Sequence, residues 1–299
     1  MNALVHVAGA VRPNFMVLTP ICVLLGVAVA IHDAGSIDVT DALLALLGAA
    51  LAHAAVNLLN EYDDFRSGLD AITVRTPFSG GSGTLPAHPE AAPATLVAGV
   101  LSIAGTVLVG IYFAWERGIA IVPLGLLGLA IVVSYTPWIT RQPLICLLAP
   151  GLGFGPLMVM GTAFVLTGHY TASAAWASLV PLFLVSELLL VNQFPDVEAD
   201  RQVGRHHLPI SIGRARSARI YAGFLLAAFA SVALGAVAGL LPAWSLLGLG
   251  ALPVALFLAR GVVQNAENQP KLIPLLGINV GVILGTIALY AVGILIGSR

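Results

Sequence analysis

Long, nearly uninterrupted apolar runs dominate this sequence and restrict the folds open to it. A helix needs about 20 mostly apolar residues to cross about 30 Å of hydrocarbon. Nine runs fit, near residues 14–32, 42–60, 95–114, 118–135, 144–167, 174–194, 218–240, 243–262 and 273–296. The runs are continuous rather than alternating, which favours helices over barrel strands. The sequence therefore predicts an all-α polytopic membrane protein, a bundle of nine transmembrane helices.

The scarcity of charge supports the same fold class. Only 9% of the 299 residues are charged and 59% are apolar, whereas soluble domains carry about 25% charged residues. This excludes a soluble domain and makes membrane lipid the surrounding partner. The formal net charge is −1, and no basic stripe follows the chain, so a nucleic-acid partner is excluded too.

The basic residues predict the orientation of the bundle. With a cytoplasmic N-terminus and nine spans, 11 of the 13 Lys and Arg residues fall on one side. Only Arg117 and Arg299 fall on the other side. Basic residues concentrate on the cytoplasmic side of membrane proteins, so we expect the N-terminus there. Most acidic residues share that side, which indicates a site for a metal ion and an anion together.

Two acidic segments end apolar runs that lie four helices apart. After the second run, Asn57, Glu61 and Asp64 fall within an arc of about 80° with His53 on one helix face. After the sixth run, Asn192, Asp196 and Asp200 are spaced i, i+4 and i+8. The similarity indicates an internal repeat that relates helices 1–4 to helices 5–8.

The oxygen atoms of these side chains are suited to Mg²⁺, which takes carboxylates, waters and phosphate oxygens. Two facing stripes can hold Mg²⁺ ions around a diphosphate. The alternative is that the acids are solvated helix ends. The expected metal ligands are Asn57, Glu61, Asp64, Asp70, Asn192, Asp196 and Asp200, and the expected catalytic residues are Asn57, Asp64, Asp196 and Asp200.

The two acidic motifs resemble those of the UbiA superfamily of intramembrane prenyltransferases. They read Asn60-Glu61-Tyr62-Asp63-Asp64, running on to Asp70, and Asp196-Val197-Glu198-Ala199-Asp200. Arg12-Pro13, Tyr135-Thr136-Pro137 and Gly204-Arg205 fit the same family. The resemblance covers nearly the whole chain and implies one prenyltransferase domain over 1–299, a central lipid-accessible cavity and dependence on Mg²⁺. Glu61 departs from the family pattern, which usually has Asp there.

Arginines near the motifs are candidates for binding a prenyl diphosphate, because the planar guanidinium fits phosphate oxygens. They are Arg12, Arg66, Arg75, Arg141 and Arg205. Cytoplasmic cap loops are expected near 61–94 and 195–217. The segment 76–84 contains Gly80, Gly81 and Gly83 but lacks the Gly-Lys-Ser/Thr of a nucleotide P-loop, so it is interpreted as a lid or a plain flexible connection.

The predicted function is Mg²⁺-dependent transfer of an isoprenoid chain from a prenyl diphosphate to an aromatic acceptor. The spacing from Asn57 to Asp70 is most like the menaquinone-pathway members, whose acceptor is 1,4-dihydroxy-2-naphthoate. Other acceptors remain open (4-hydroxybenzoate, chlorophyllide, glyceryl phosphate), as does a secondary transporter. The expected location is a bacterial or archaeal cell membrane with the site facing the cytoplasm. His53 and Glu187 receive no role from the sequence.

Overall fold

The computed structural model describes residues 3–298, and every regular element in that range is helical. Eight helical spans are long and apolar enough to cross a membrane, and a ninth apolar helix is shorter. We number them α1 to α9 in chain order: Pro13–Ala34, Val39–Arg66, Pro89–Arg117, Ile119–Ser134, Pro143–Thr167, Ala172–Asn192, Arg214–Val237, Ala243–Asn265 and Gln269–Gly297.

The prediction of a polytopic, all-helical protein is confirmed by these spans. Each of the nine apolar runs coincides with one helix, although α4 is too short to be counted with the other eight. The count of nine spans therefore stays a prediction, as does the cytoplasmic N-terminus. Arg299, one of the two basic residues expected on the outer side, lies outside the described residues.

Helix α2 extends six residues beyond its apolar run and carries the first acidic motif on its last two turns. At its start, Asp38 caps the helix by accepting from the N–H groups of Thr40 at 2.7 Å and Asp41 at 3.1 Å. At its end, Gly68 adopts φ 76°, a conformation that costs other residues steric strain. The chain then forms the short helix Leu69–Ile72, which carries Asp70.

Helix α5 contains a π-helical segment over Gly153–Met160 between two α-helical parts. Pro150 and Pro156 lie in or next to this segment, and neither can donate an intrahelical N–H bond. Gly151 and Gly155 lie against α6 so closely that a methyl group would approach backbone atoms to 2.1 and 2.4 Å. Two glycines thus allow direct backbone contact between α5 and α6.

The main core lies between α1, α5, α6, α7, α8 and α9, with α6 the most buried span. A polar chain of hydrogen bonds crosses it. Tyr221 donates its hydroxyl to Asn279 at 2.9 Å, and the Asn279 amide donates to Glu187 at 2.9 Å. These three buried residues connect α7, α9 and α6, so one Glu187 oxygen has a partner within the packed core.

Candidate active site

Polar residues from four separate segments meet at one end of the bundle. Arg205 donates one N–H to Asp64 at the end of α2 and another to Asp200 at 2.9 Å. Asp200 lies on the short helix Val197–Gln202, which follows α6. The tips of α2 and α6 therefore converge on a single, partly buried guanidinium.

The electrostatics of this cluster are dominated by the two carboxylates. Burial alone would lower the pKa of Arg205, but the negative charges of Asp64 and Asp200 raise it above its ordinary value. Arg205 therefore stays charged despite its burial. The ion pairs fix the separation between the two acidic motifs.

His207 also contacts Asp200, and sequence reasoning missed it. Its Nε2 lies 2.8 Å from an Asp200 oxygen, and the ring is 2% exposed. The backbone N–H of Arg205 bonds to the Asp200 carbonyl at 3.0 Å, so the chain turns back and brings His207 beside the motif. No periodic pattern in the sequence predicts such a turn.

Three oxygen atoms at the site are buried without a hydrogen-bond partner within residues 3–298. They belong to Asp70, Asn192 and Asp196, and all three side chains line the same cavity. Burying an unpaired oxygen costs free energy, so such groups call for a partner. A hard dication that prefers carboxylate and amide oxygens is the partner that fits this donor set.

Burial raises the pKa values of two acids at the site, Asp70 and Asp196. Burial and the neighbouring charges of Glu61 and Asp64 raise the pKa of Asp70 to about 7. Burial, followed by the charge of Asp200, raises the pKa of Asp196 to about 7. Two carboxyls that line one cavity and have pKa values near neutrality indicate a site that binds positive charge.

The loop between Thr73 and Gly83 covers the cavity, and we call it the cap. Thr76 holds a tight turn by accepting from the N–H groups of Phe78 at 3.1 Å and Ser79 at 3.0 Å. Gly80 then donates its N–H to Asp196 at 3.2 Å. Ser82 donates its N–H and its hydroxyl to Glu61. The cap thus bonds to both acidic motifs at once.

Glu61 is engaged by the cap and by the N-terminal segment. Arg12 donates to one Glu61 oxygen from Nε at 3.1 Å and from Nη2 at 2.8 Å. With Ser82 bonded as well, the fully buried carboxylate has its oxygens occupied. The extra methylene of Glu compared with Asp extends the carboxylate toward these partners.

The other predicted site residues lie either on the cavity wall or close to the cavity. Asn57 lines the cavity while its amide donates to the Val11 carbonyl at 2.8 Å. Arg12 and Arg205 also line it. Arg66 and Arg141 border an adjoining cavity of about 340 Å³, which shares Asp64 and Arg205 with the first. Arg75 is exposed and lies against Gly83 on the outer side of the cap.

The cavity itself has a volume of about 540 Å³ and is mostly apolar away from the acids. It continues between α2, α3, α4 and α5 as far as Phe113 and Ile121. Tyr135 and Phe154 add aromatic faces to its wall. His53 lies on this wall, 2.8 Å from Thr19 Oγ1 and edge-on to Phe154.

Comparisons with known proteins agree with this arrangement. The UbiA prenyltransferase family model matches residues 19–295. Among curated relatives, the 1,4-dihydroxy-2-naphthoate octaprenyltransferase of Bacillus subtilis is 27% identical over 85% of this chain and 81% of its own length. The enzymes of that name from Escherichia coli and Mycobacterium tuberculosis are 26% and 29% identical over 86% and 79% of this chain, and over 85% and 78% of their own lengths.

Solved structures share the fold. A structure from work on digeranylgeranylglyceryl phosphate synthase covers 100% of this chain and 99% of its own, with a TM-score of 0.64 at 16% identity. A UbiA homolog from Archaeoglobus fulgidus, bound to DMAPP and Mg²⁺, covers 96% of this chain and 99% of its own, with a TM-score of 0.57 at 14% identity.

Proposed function

This chain belongs to the UbiA prenyltransferase family and is an integral membrane prenyltransferase, and we propose that it prenylates 1,4-dihydroxy-2-naphthoate in menaquinone biosynthesis. The isoprenoid comes from a prenyl diphosphate, and Mg²⁺ is the cofactor. The observation that carries the proposal is the convergence of two acidic helix tips, with unpartnered oxygens, above an apolar cavity.

We assign the diphosphate to the acidic end of the cavity. Asp70, Asn192 and Asp196 offer free oxygens to Mg²⁺, and Asp64, Asp200 and Asn57 complete the set of ligands. Bound Mg²⁺ supplies the positive charge that neutralises the departing diphosphate oxygens. Glu61 is bonded to both Arg12 and the cap, and we assign it the role of anchoring them.

Arg205 acts on the leaving group in this proposal. Guanidinium carries five N–H donors, and two of them bond to Asp64 and Asp200. The remaining donors are available to diphosphate oxygens as their negative charge develops. Arg12 adds a second cation at the wall of the cavity. Arg66 and Arg141, beside the adjoining cavity, attract the anion toward the site.

The apolar part of the cavity accepts the isoprenoid chain and keeps the allylic cation from water. Tyr135 and Phe154 present aromatic faces, which stabilise positive charge. The cap excludes solvent at the acidic end. The acceptor ring carbon then forms a bond to the isoprenoid, its bond to the carboxylate breaks, and carbon dioxide leaves together with the diphosphate.

The orientation in the membrane belongs to the same proposal. With α4 as a ninth span, the N-terminus and the acidic end face the cytoplasm, and the C-terminus faces the other side. This orientation places Arg117, at the end of α3, on the outer side, where the positive-inside rule disfavours basic residues. Arg117 forms an ion pair with Asp41 there, which offsets its charge and is consistent with the orientation. The cytoplasm is where a charged diphosphate is supplied.

The other acceptors and transport have weaker support. The structure from work on digeranylgeranylglyceryl phosphate synthase shares the fold at only 16% identity. The Bacillus subtilis and Escherichia coli relatives, at 27% and 26% identity, are named 1,4-dihydroxy-2-naphthoate octaprenyltransferases. Transporters usually place coupling carboxylates near the bilayer midplane. Here the acids that line the cavity cluster at one end of the bundle.

The test is a product assay with purified protein in proteoliposomes. We expect Mg²⁺ and prenyl diphosphates of several lengths to give a prenylated product without the carboxylate from 1,4-dihydroxy-2-naphthoate, identified by mass spectrometry. Asp196→Asn should abolish it, while Glu198→Gln, an exposed acid two residues away, should not. Product from a different acceptor alone would overturn the assignment of the acceptor. Uptake without any product would overturn prenyl transfer.

A further inference from the structure

A second cluster of metal-ligating side chains lies outside the residues that line the cavity. His6 is on the short helix Ala3–Ala10, which precedes α1, and His88 and Glu90 flank the start of α3. The two imidazole rings stack with centroids 3.8 Å apart. Glu90 Oε1 lies 3.4 Å from His88 Nδ1. One donor atom from each side chain lies within 4.8 Å of the other two.

We propose that His6, His88 and Glu90 form a binding site for a transition-metal dication such as Zn²⁺. Two imidazoles and one carboxylate make a mixed nitrogen and oxygen donor set, which suits Zn²⁺ and not Mg²⁺. The acids at the active site offer oxygen alone, which suits Mg²⁺. The chain therefore carries two sites of different metal preference.

The geometry needs only side-chain movement to bind the ion. Tetrahedral zinc with bonds of about 2.1 Å places its donors about 3.4 Å apart, less than the 4.8 Å span of the three donors here. The His88 and Glu90 side chains are 44% and 71% exposed, so both are free to rotate. A water completes the coordination as the fourth ligand.

The position of the cluster connects it to the cap. On the same short helix as His6, Gly9 packs so closely on Thr84 that a methyl group would lie 2.8 Å from the Thr84 hydroxyl. The Ser82 hydroxyl oxygen lies 2.8 Å from that hydroxyl and is also bonded to Glu61. A metal that joins His6 to His88 therefore fastens the N-terminal helix across the base of the closed cap.

Metal binding itself is the test, and it does not depend on the prenyl-transfer proposal. Tag-free protein is dialysed against Zn²⁺ in excess Mg²⁺, which occupies the acidic site, and bound zinc is counted. We expect one Zn²⁺ per chain in this competition, lost in the double variant His6→Ala, His88→Ala. Glu90→Gln should weaken binding about tenfold. His169→Ala, an exposed histidine at the opposite end of the bundle, should bind as the parent does.

Thermal unfolding separates loss of the site from loss of the fold. Without zinc, the double variant should unfold close to the parent's Tm, because both side chains are only partly buried. Added Zn²⁺ should raise the Tm of the parent and leave the double variant unchanged. Equal zinc uptake by the two proteins, or an equal rise in Tm, would overturn the site.

Discussion

Arg205 holds the two acidic motifs together and is the clearest case of a residue whose role depends on side-chain shape. Its two nitrogen arms reach Asp64 and Asp200 separately. A lysine has the same charge but a single ammonium, which cannot hold both carboxylates in this geometry. Charge alone therefore does not account for the arrangement.

We predict that Arg205→Lys lowers kcat/KM for prenyl transfer by about tenfold or more, because the fork that positions both acids is lost. Arg201→Lys is the matched control, since Arg201 is exposed and pairs with the exposed Glu198. Steady-state kinetics of both variants check this. Parent-like activity in Arg205→Lys would mean that the bridge between the motifs is not needed.

The raised pKa values of Asp70 and Asp196, both about 7, predict how Mg²⁺ binding depends on pH. Between pH about 4 and 7 the metal-free folded protein holds protons that the unfolded chain has released, so its stability falls as pH rises through this window. Mg²⁺ must displace these protons, so its affinity should rise with pH up to about 7 and then level off.

Mg²⁺ titrations at several pH values, followed by calorimetry, test this dependence. In Asp196→Asn the slope below pH 7 should fall by about one proton, because one of the two titrating carboxyls is gone. An Mg²⁺ affinity that is constant from pH 6 to 8 in the parent would contradict the assignment of these acids as ligands.

The cap is an element whose position depends on glycine. Gly80 adopts φ 81° and aims its N–H at Asp196, which closes the loop over the site. An alanine in this conformation costs about 1 kcal/mol or more. The closed cap is therefore sensitive to a single methyl group at Gly80.

We predict that Gly80→Ala opens the cap and admits water, raising the ratio of prenyl alcohol to prenylated acceptor about fivefold. Gly35→Ala is the control, because Gly35 has φ 77° at the opposite end of the bundle, with open space around it. The two products are separated and counted by chromatography. An unchanged ratio would show that the cap does not protect the intermediate.

The close contact between α5 and α6 should make the stability of the bundle sensitive to a methyl group at Gly155. A methyl group at Gly155 would lie 2.4 Å from the Ser178 carbonyl, whereas one at Gly153 would meet no atom within 4 Å. We expect Gly155→Ala to destabilise the bundle by about 1–3 kcal/mol and lower its Tm. Gly153→Ala in the same π-helical segment should keep the parent Tm. Equal Tm values for both variants would contradict the packing.

At the scale of the whole molecule, the sequence alone predicted the positions of the helices and the convergence of the two acidic motifs. Apolar runs predicted the helices because lipid requires continuous apolar length, and residues spaced by three or four share a helix face. Asn57 and Asp64 accordingly line one cavity together with Asn192 and Asp196.

The features that the sequence did not predict depend on irregular turns, loops and packing. His207 reaches Asp200 through an irregular turn, and Ser82 bonds to Glu61 from a loop. The shorter length of α4 and the π-helical segment of α5 follow from packing and from proline positions. The internal repeat of helices 1–4 and 5–8 remains our proposal, because the two acidic tips alone suggest it.

The most direct measurement is a structure of the protein with a non-reactive prenyl thiodiphosphate and Mn²⁺ in place of Mg²⁺, located by its anomalous signal. We predict manganese peaks at bonding distance from oxygens of Asp64, Asp70 or Asp196 on the one side and from the diphosphate on the other, with the isoprenoid in the apolar cavity. Metal and diphosphate bound away from these carboxylates would contradict the account.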